Sequence, residues 1–127
     1  MHPLVLVGVG GFIGAVLRYL MSGLVQNLTQ SVTFPHGTLA VNIAGCFLMG
    51  IFSHLVETQA GMTAELRLFL MVGFLGSFTT YSTFSHETLN LLQEHGLSLA
   101  LINMGTHVVL GLAAVLLGRF ATISIWR

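Results

Sequence analysis

Neither lysine nor aspartate occurs in this sequence, and its 127 residues carry only four arginines and four glutamates. A soluble domain devotes about a quarter of its residues to charge, so this set cannot build a water-facing surface. The formal net charge is zero and the isoelectric point is near 7.0, which excludes a nucleic-acid partner and a polybasic membrane tether. Cysteine occurs once, as Cys46, so there is no intrachain disulfide and no statement about redox compartment. Only His2 precedes the first long apolar run. Without the basic n-region of a signal peptide, that run is expected to be a retained span. What remains is hydrophobic: 54% of the residues, with a mean hydropathy of +0.90. Lipid is the solvent that tolerates such a chain, and an all-α integral membrane protein is predicted.

A spanning helix needs about 20 mostly apolar residues. Four segments qualify, over about residues 3–25, 38–56, 66–92 and 97–123, and together they make residues 1–127 one transmembrane domain. Pro35 and Gly37 punctuate the first connector. Arg119 lies near the end of the fourth span, where it can snorkel. The third segment is the odd one. As a continuous helix it would run roughly 40 Å, longer than a hydrocarbon core of about 30 Å. Within it, Gly73 to Thr88 reads GFLGSFTTYSTFSHET, two glycines and seven serines or threonines interleaved with aromatics. Glycine weakens a helix, and hydroxyls offer the backbone competing hydrogen bonds. Two readings fit: a helix interrupted near residues 76–80 to build a site, or a long tilted helix with its hydroxyls bonded to the previous turn.

Glycine occurs 15 times. The stretch GVGGFIG, Gly8 to Gly14, has the look of a dinucleotide fingerprint, but no strand precedes it and no βαβ unit fits a membrane span. Close helix packing is the better account, through the small-xxx-small pairs Gly10/Gly14 and Ala40/Ala44.

Polar groups inside spans are costly and turn towards a bundle interior or water. Thr38, Asn42, Gly45/Cys46, Met49 and Ser53 fall on one face of the second span. Asn103, His107, Gly111, Ala114 and Gly118 do so in the fourth. Beyond the proposed break, Thr83, Glu87, Asn90 and Glu94 share one face and Tyr81, Phe84 and Thr88 a neighbouring one. Each stripe alone is explained by helix contact; three in so small a chain point to a polar path. The donors are neutral amides and hydroxyls (Asn42, Ser82, Thr83, Ser85, Asn103, Thr106), which suit an anion that must shed water and leave again. Ring edges are electropositive and can face an anion. Arg18, the one cation deep in a span, either raises the local anion concentration or snorkels to an interface. The six histidines show no H-x-x-x-H or H-E-x-x-H spacing, and GSFTT lacks the glycines of a nucleophile elbow. No enzyme is read here.

The segment GFLGSFTTYSTFS (Gly73 to Ser85) closely resembles the signature of the CrcB/Fluc fluoride channels. GGFIGAVLRYL (Gly10 to Leu20), GTLAVNIAGCF (Gly37 to Phe47) and SHETLNLLQEHG (Ser85 to Gly96) resemble the same family, in the same order along nearly the whole chain. The resemblance implies four helices per subunit with the third interrupted mid-membrane, and an antiparallel, dual-topology homodimer. Two passive fluoride-selective pores would run along the subunit interface, conferring fluoride resistance, with one structural sodium ion (Na+) at the centre. By resemblance, Asn42 is the pore donor, Tyr81 and Phe84 present their ring edges to the ion, and Ser82, Thr83 and Ser85 form a hydroxyl track. Gly76 and Thr79 would bind Na+ through main-chain carbonyls, with Arg18 and Glu87 in supporting positions. Two departures stand out: Tyr81 replaces the family's usual Phe, and Asn103 and His107 stand where some relatives carry tyrosine and serine.

Two other functions suit a chain of this size. A small dual-topology, proton-coupled multidrug exporter needs an acid in mid first span, where this chain has only Arg18. A non-transporting membrane assembly protein needs neither an interrupted helix nor aligned donors. With both termini on one side, Arg67, Arg119 and Arg127 share that side and Arg18 lies nearer the other, so the positive-inside bias is weak and permits dual insertion. The expected partners are fluoride, a second copy of the chain and the lipid bilayer, in a bacterial inner (plasma) membrane.

Overall fold

The computed structural model describes residues 1–58 and 61–125; Arg127, invoked above for topology, lies outside them. The described residues are all helical or in short connectors, with no strand among them. Helix α1 (Pro3–Thr29) is followed by α2 (His36–Glu57). The third segment begins as α3 (Ala64–Arg67), continues as a π-helix (Leu68–Leu75), closes in one turn, α4 (Gly76–Phe78), and resumes as α5 (Tyr81–His95). Helix α6 (Leu97–Ile125) ends the bundle. Four segments are long and apolar enough to cross a membrane: Pro3–Thr29, His36–Glu57, Ala64–His95 and Leu97–Ile125. Large apolar side chains such as Phe12, Leu28, Leu116 and Phe120 stand exposed on their outer faces, as lipid contact requires.

Caps and turn chemistry set the helix ends. His2 accepts from the Leu4 N–H, Thr63 from Leu66, and Gln30 closes α1 in the left-handed region. The Gln26 amide then ties the α1–α2 connector together, donating to the Ser31 and Phe34 carbonyls and accepting from Gly37 N–H. Between α5 and α6 only Gly96 intervenes, with φ of 93° and ψ of 178°, a conformation open essentially to glycine alone.

Packing divides into two seams, α1 against the π-helix and α2 against α6. In the first, Gly10 and Gly14 are buried, and a β-carbon on Gly14 would overlap the Phe74 carbonyl and Ser77 hydroxyl. In the second, Gly50 meets the Val115 carbonyl and Gly118 the Phe47 carbonyl in the same way. The small-residue logic extends to α2–α6 through this glycine pair, while Ala40 and Ala44 are only half-buried. The apolar centre is small: Val41, Leu75 and Phe78, with Phe74 stacked on Phe78 at 5.6 Å between ring centroids.

Candidate anion site beside the interrupted helix

The third segment leaves helical geometry at two residues. Thr79 has φ −90° and ψ 157°, and Thr80 has φ −148° and ψ 118°. Local chemistry explains why. The Thr79 hydroxyl donates to the Leu75 carbonyl at 2.9 Å, competing for a helical acceptor. Thr80 then serves as N-cap of α5, its hydroxyl accepting from Thr83 N–H at 3.2 Å. Gly76 itself stays helical, at φ −60° and ψ −31°. The two threonines, rather than the glycine, turn the chain.

An interruption frees backbone groups, and each must be accounted for. Asn42 of α2 meets both sides of Thr80: its Nδ2 donates to the Thr80 carbonyl at 3.1 Å, and its Oδ1 accepts from Thr80 N–H at 2.8 Å. One N–H of the Asn42 amide remains. Arg18 reaches from α1 to α4. Its Nε donates to the Ser77 carbonyl at 2.9 Å, placing a cation at the carbonyl end of a helix where it is favoured. Among the described residues no donor reaches the carbonyls of Gly76, Phe78 or Thr79. The family resemblance points to the first and third of these, and the structure adds Phe78.

A cavity of about 390 Å³ opens beside the break. Asn42, Cys46 and Met49 line it from α2, Thr79, Thr80, Tyr81 and Phe84 from the break and α5, and His107 from α6. Tyr81 is 80% exposed in the single chain and tilts against Phe84 at 5.9 Å. Phe84 in turn packs on the His107 ring at 4.3 Å. Asn42, Tyr81, Phe84 and His107 are therefore brought together.

The remaining candidates lie elsewhere. Ser82 and Ser85 are exposed on α5. Thr83 accepts a hydrogen bond from the Thr80 hydroxyl at 3.0 Å. Glu87 accepts from the Thr38 hydroxyl at 2.8 Å, and with Asn90 and Glu94 it lines a second cavity of about 580 Å³ under the α1–α2 connector. Asn103 is fully buried and donates to the Thr88 hydroxyl at 2.9 Å. Thr88 bonds the Phe84 carbonyl at 2.7 Å, so Asn103 braces the Phe84 turn from behind. The sequence analysis ends the interruption at residue 80 but gives Thr80 no role, although a threonine three residues before Thr83 at the start of a helical run is an N-cap signal.

Against families of known proteins, residues 5–119 match the family described as CrcB-like protein, Camphor Resistance (CrcB). The chain is 45% identical over 125 residues to the fluoride-specific ion channel FluC 1 of Methanosarcina acetivorans, covering 98% of this chain and 94% of that one. It is 44% identical over 126 residues to the fluoride-specific ion channel FluC of Methanocaldococcus jannaschii, covering 99% and 98%. A FluC channel of Magnetococcus marinus is 46% identical over 112 residues, covering 88% and 90%.

Proposed function

The chain belongs to the CrcB family, and from that premise we propose that it is a passive, fluoride-selective channel through which fluoride leaves the cytosol. The observation that carries the reading is the convergence of Asn42, Tyr81 and Phe84 on one cavity beside the interrupted helix. An anion leaving water needs donors that are neutral enough to release it again. The free N–H of Asn42 supplies one, and the aromatic edges supply weaker ones. No side chain lining this cavity is an acid, so the path contains no carboxylate to repel the ion or to exchange protons. The first helix carries no acid either, which disfavours a proton-coupled exporter. Transport involves no chemical step.

The working unit in this proposal is an antiparallel homodimer with two pores, the break lying at mid-membrane depth in the plasma membrane. Tyr81, Ser82 and Ser85 are exposed on the single chain within a membrane-spanning segment. Hydroxyls facing lipid are unfavourable, and a second copy related by a two-fold axis would cover them. The same axis bears on the Na+ site. The Gly76 and Thr79 carbonyls are hard oxygen donors without partners among the described residues, a donor type that suits a hard cation, but one chain offers too few to enclose it. Two chains would bring both pairs together, and the ion would tie the two interruptions to each other.

Efflux from liposomes holding the purified protein tests the reading. Fluoride should leave without a proton gradient, with chloride efflux close to that of empty liposomes. Equal rates for the two anions would overturn selectivity, and fluoride release that needs a proton gradient would overturn the passive mechanism.

A further inference from the structure

His107 is the one lining side chain of the 390 Å³ cavity that can become a cation. Its Nδ1 lies 3.0 Å from the Asn103 carbonyl oxygen. A carbonyl only accepts, so the proton of neutral His107 sits on Nδ1 and Nε2 keeps a lone pair. That Nε2 is buried and has no partner among the described residues. The ring cannot easily turn away. Phe84 packs on one side of it at 4.3 Å, and the Asn103–Thr88–Phe84 hydrogen bonds fix the turn on which it leans. An unpaired buried nitrogen is costly, and the ring is held on the wall of the cavity.

We propose that His107 is a proton-controlled anion station in this path. In the neutral form the Nε2 lone pair opposes an anion. After proton uptake from water, Nε2–H becomes a charge-assisted donor to it. The other titratable groups lining the cavity are Cys46 of α2 and Tyr81 of α5, and neither can become a cation. Glu87 of α5 is bonded to Thr38 and lines the other cavity, and Arg119 of α6 is paired with Glu57 of α2 at 2.8 Å. Among the described residues of one chain, none places a counter-charge on the cavity wall. A buried cation without a counter-charge is strongly disfavoured, so proton and anion bind His107 as a pair, each favouring the other. Fluoride flux then rises as pH falls, a dependence to be sought between about pH 8 and about pH 5.

The inference rests on the channel reading, and the test separates the two. Fluoride efflux is measured from proteoliposomes across that range, with efflux from protein-free liposomes at each pH subtracted to remove permeation of the neutral acid. Wild-type flux should increase about tenfold. His107→Gln, whose amide keeps a permanent donor at similar reach, should conduct with little pH dependence, and His107→Ser should also lose the slope. A wild-type flux that is substantial but flat with pH would remove the station and leave the channel intact. Both variants retaining the wild-type slope would place the titration elsewhere and overturn the proposal. No protein-dependent fluoride flux at any pH would overturn the channel reading and this inference with it.

Discussion

Gly14, the fifth residue of the segment Gly10 to Leu20, and Gly76, the fourth of Gly73 to Ser85, look alike in the sequence, yet they belong to opposite kinds of region. Gly14 lies in the seam between α1 and the π-helix, where backbone meets backbone and a β-carbon has nowhere to go. Gly76 lies at the break, where a β-carbon would meet only the Met71 carbonyl at 3.9 Å. The seams are built by removing side chains: Gly10, Gly14, Gly50 and Gly118 let helices approach closely, the main source of association when lipid is as apolar as leucine. The break is built by adding polar partners: Asn42 to Thr80, Arg18 to Ser77 and the Thr80 hydroxyl to α5. Rigidity in the first region is steric and insensitive to chemistry. In the second it depends on named donors and acceptors.

The largest effect is expected in the seam. Gly14→Leu should prevent recovery of folded, monodisperse protein, a loss beyond about 4 kcal/mol, because the clash includes the Phe74 backbone carbonyl, which cannot move aside as the Ser77 hydroxyl could. A well-folded Gly14→Leu protein with an unchanged melting temperature would erase the distinction between the two regions.

Asn42→Leu comes next. It removes both hydrogen bonds to Thr80 and the spare donor, so stability should fall by about 1–3 kcal/mol and fluoride flux at least about tenfold. Thermal unfolding in detergent and liposome efflux measure the two separately. Wild-type flux in a destabilised Asn42→Leu protein would reduce Asn42 to a structural brace.

The smallest effect is expected at Gly76. Gly76→Ala keeps helical geometry and makes only an ordinary van der Waals contact with the Met71 carbonyl, so its unfolding temperature as a separated subunit should shift by no more than about 0.5 kcal/mol allows. A large loss confined to the assembled protein would sharpen the comparison, because only a second copy could press on that exposed position.

Much of this was legible before any coordinates. Eight charges, a high hydropathy and four apolar runs require a helical membrane protein, since only helices satisfy their own backbone in lipid when no barrel pattern is present. The run from Gly73 to Ser85 carried the family, and the apolar spans marked where the helices lie. Helix ends overran those spans because caps such as Thr63 and Gln30 end helices, and hydropathy does not report caps. The identity of the donors was readable, but their pairing was not. Asn42 and Thr80 are 38 positions apart and Arg18 and Ser77 are 59 apart, and no local rule of propensity or period links residues at that distance. Composition and periodicity determined that this chain lives in lipid as four packed helices. Which carbonyl each polar side chain would hold, and that His107 would come to rest against Phe84 with one nitrogen unpaired, was decided only when the helices packed, because hydrogen bonds across a bundle depend on rotation and depth that a one-dimensional pattern does not contain.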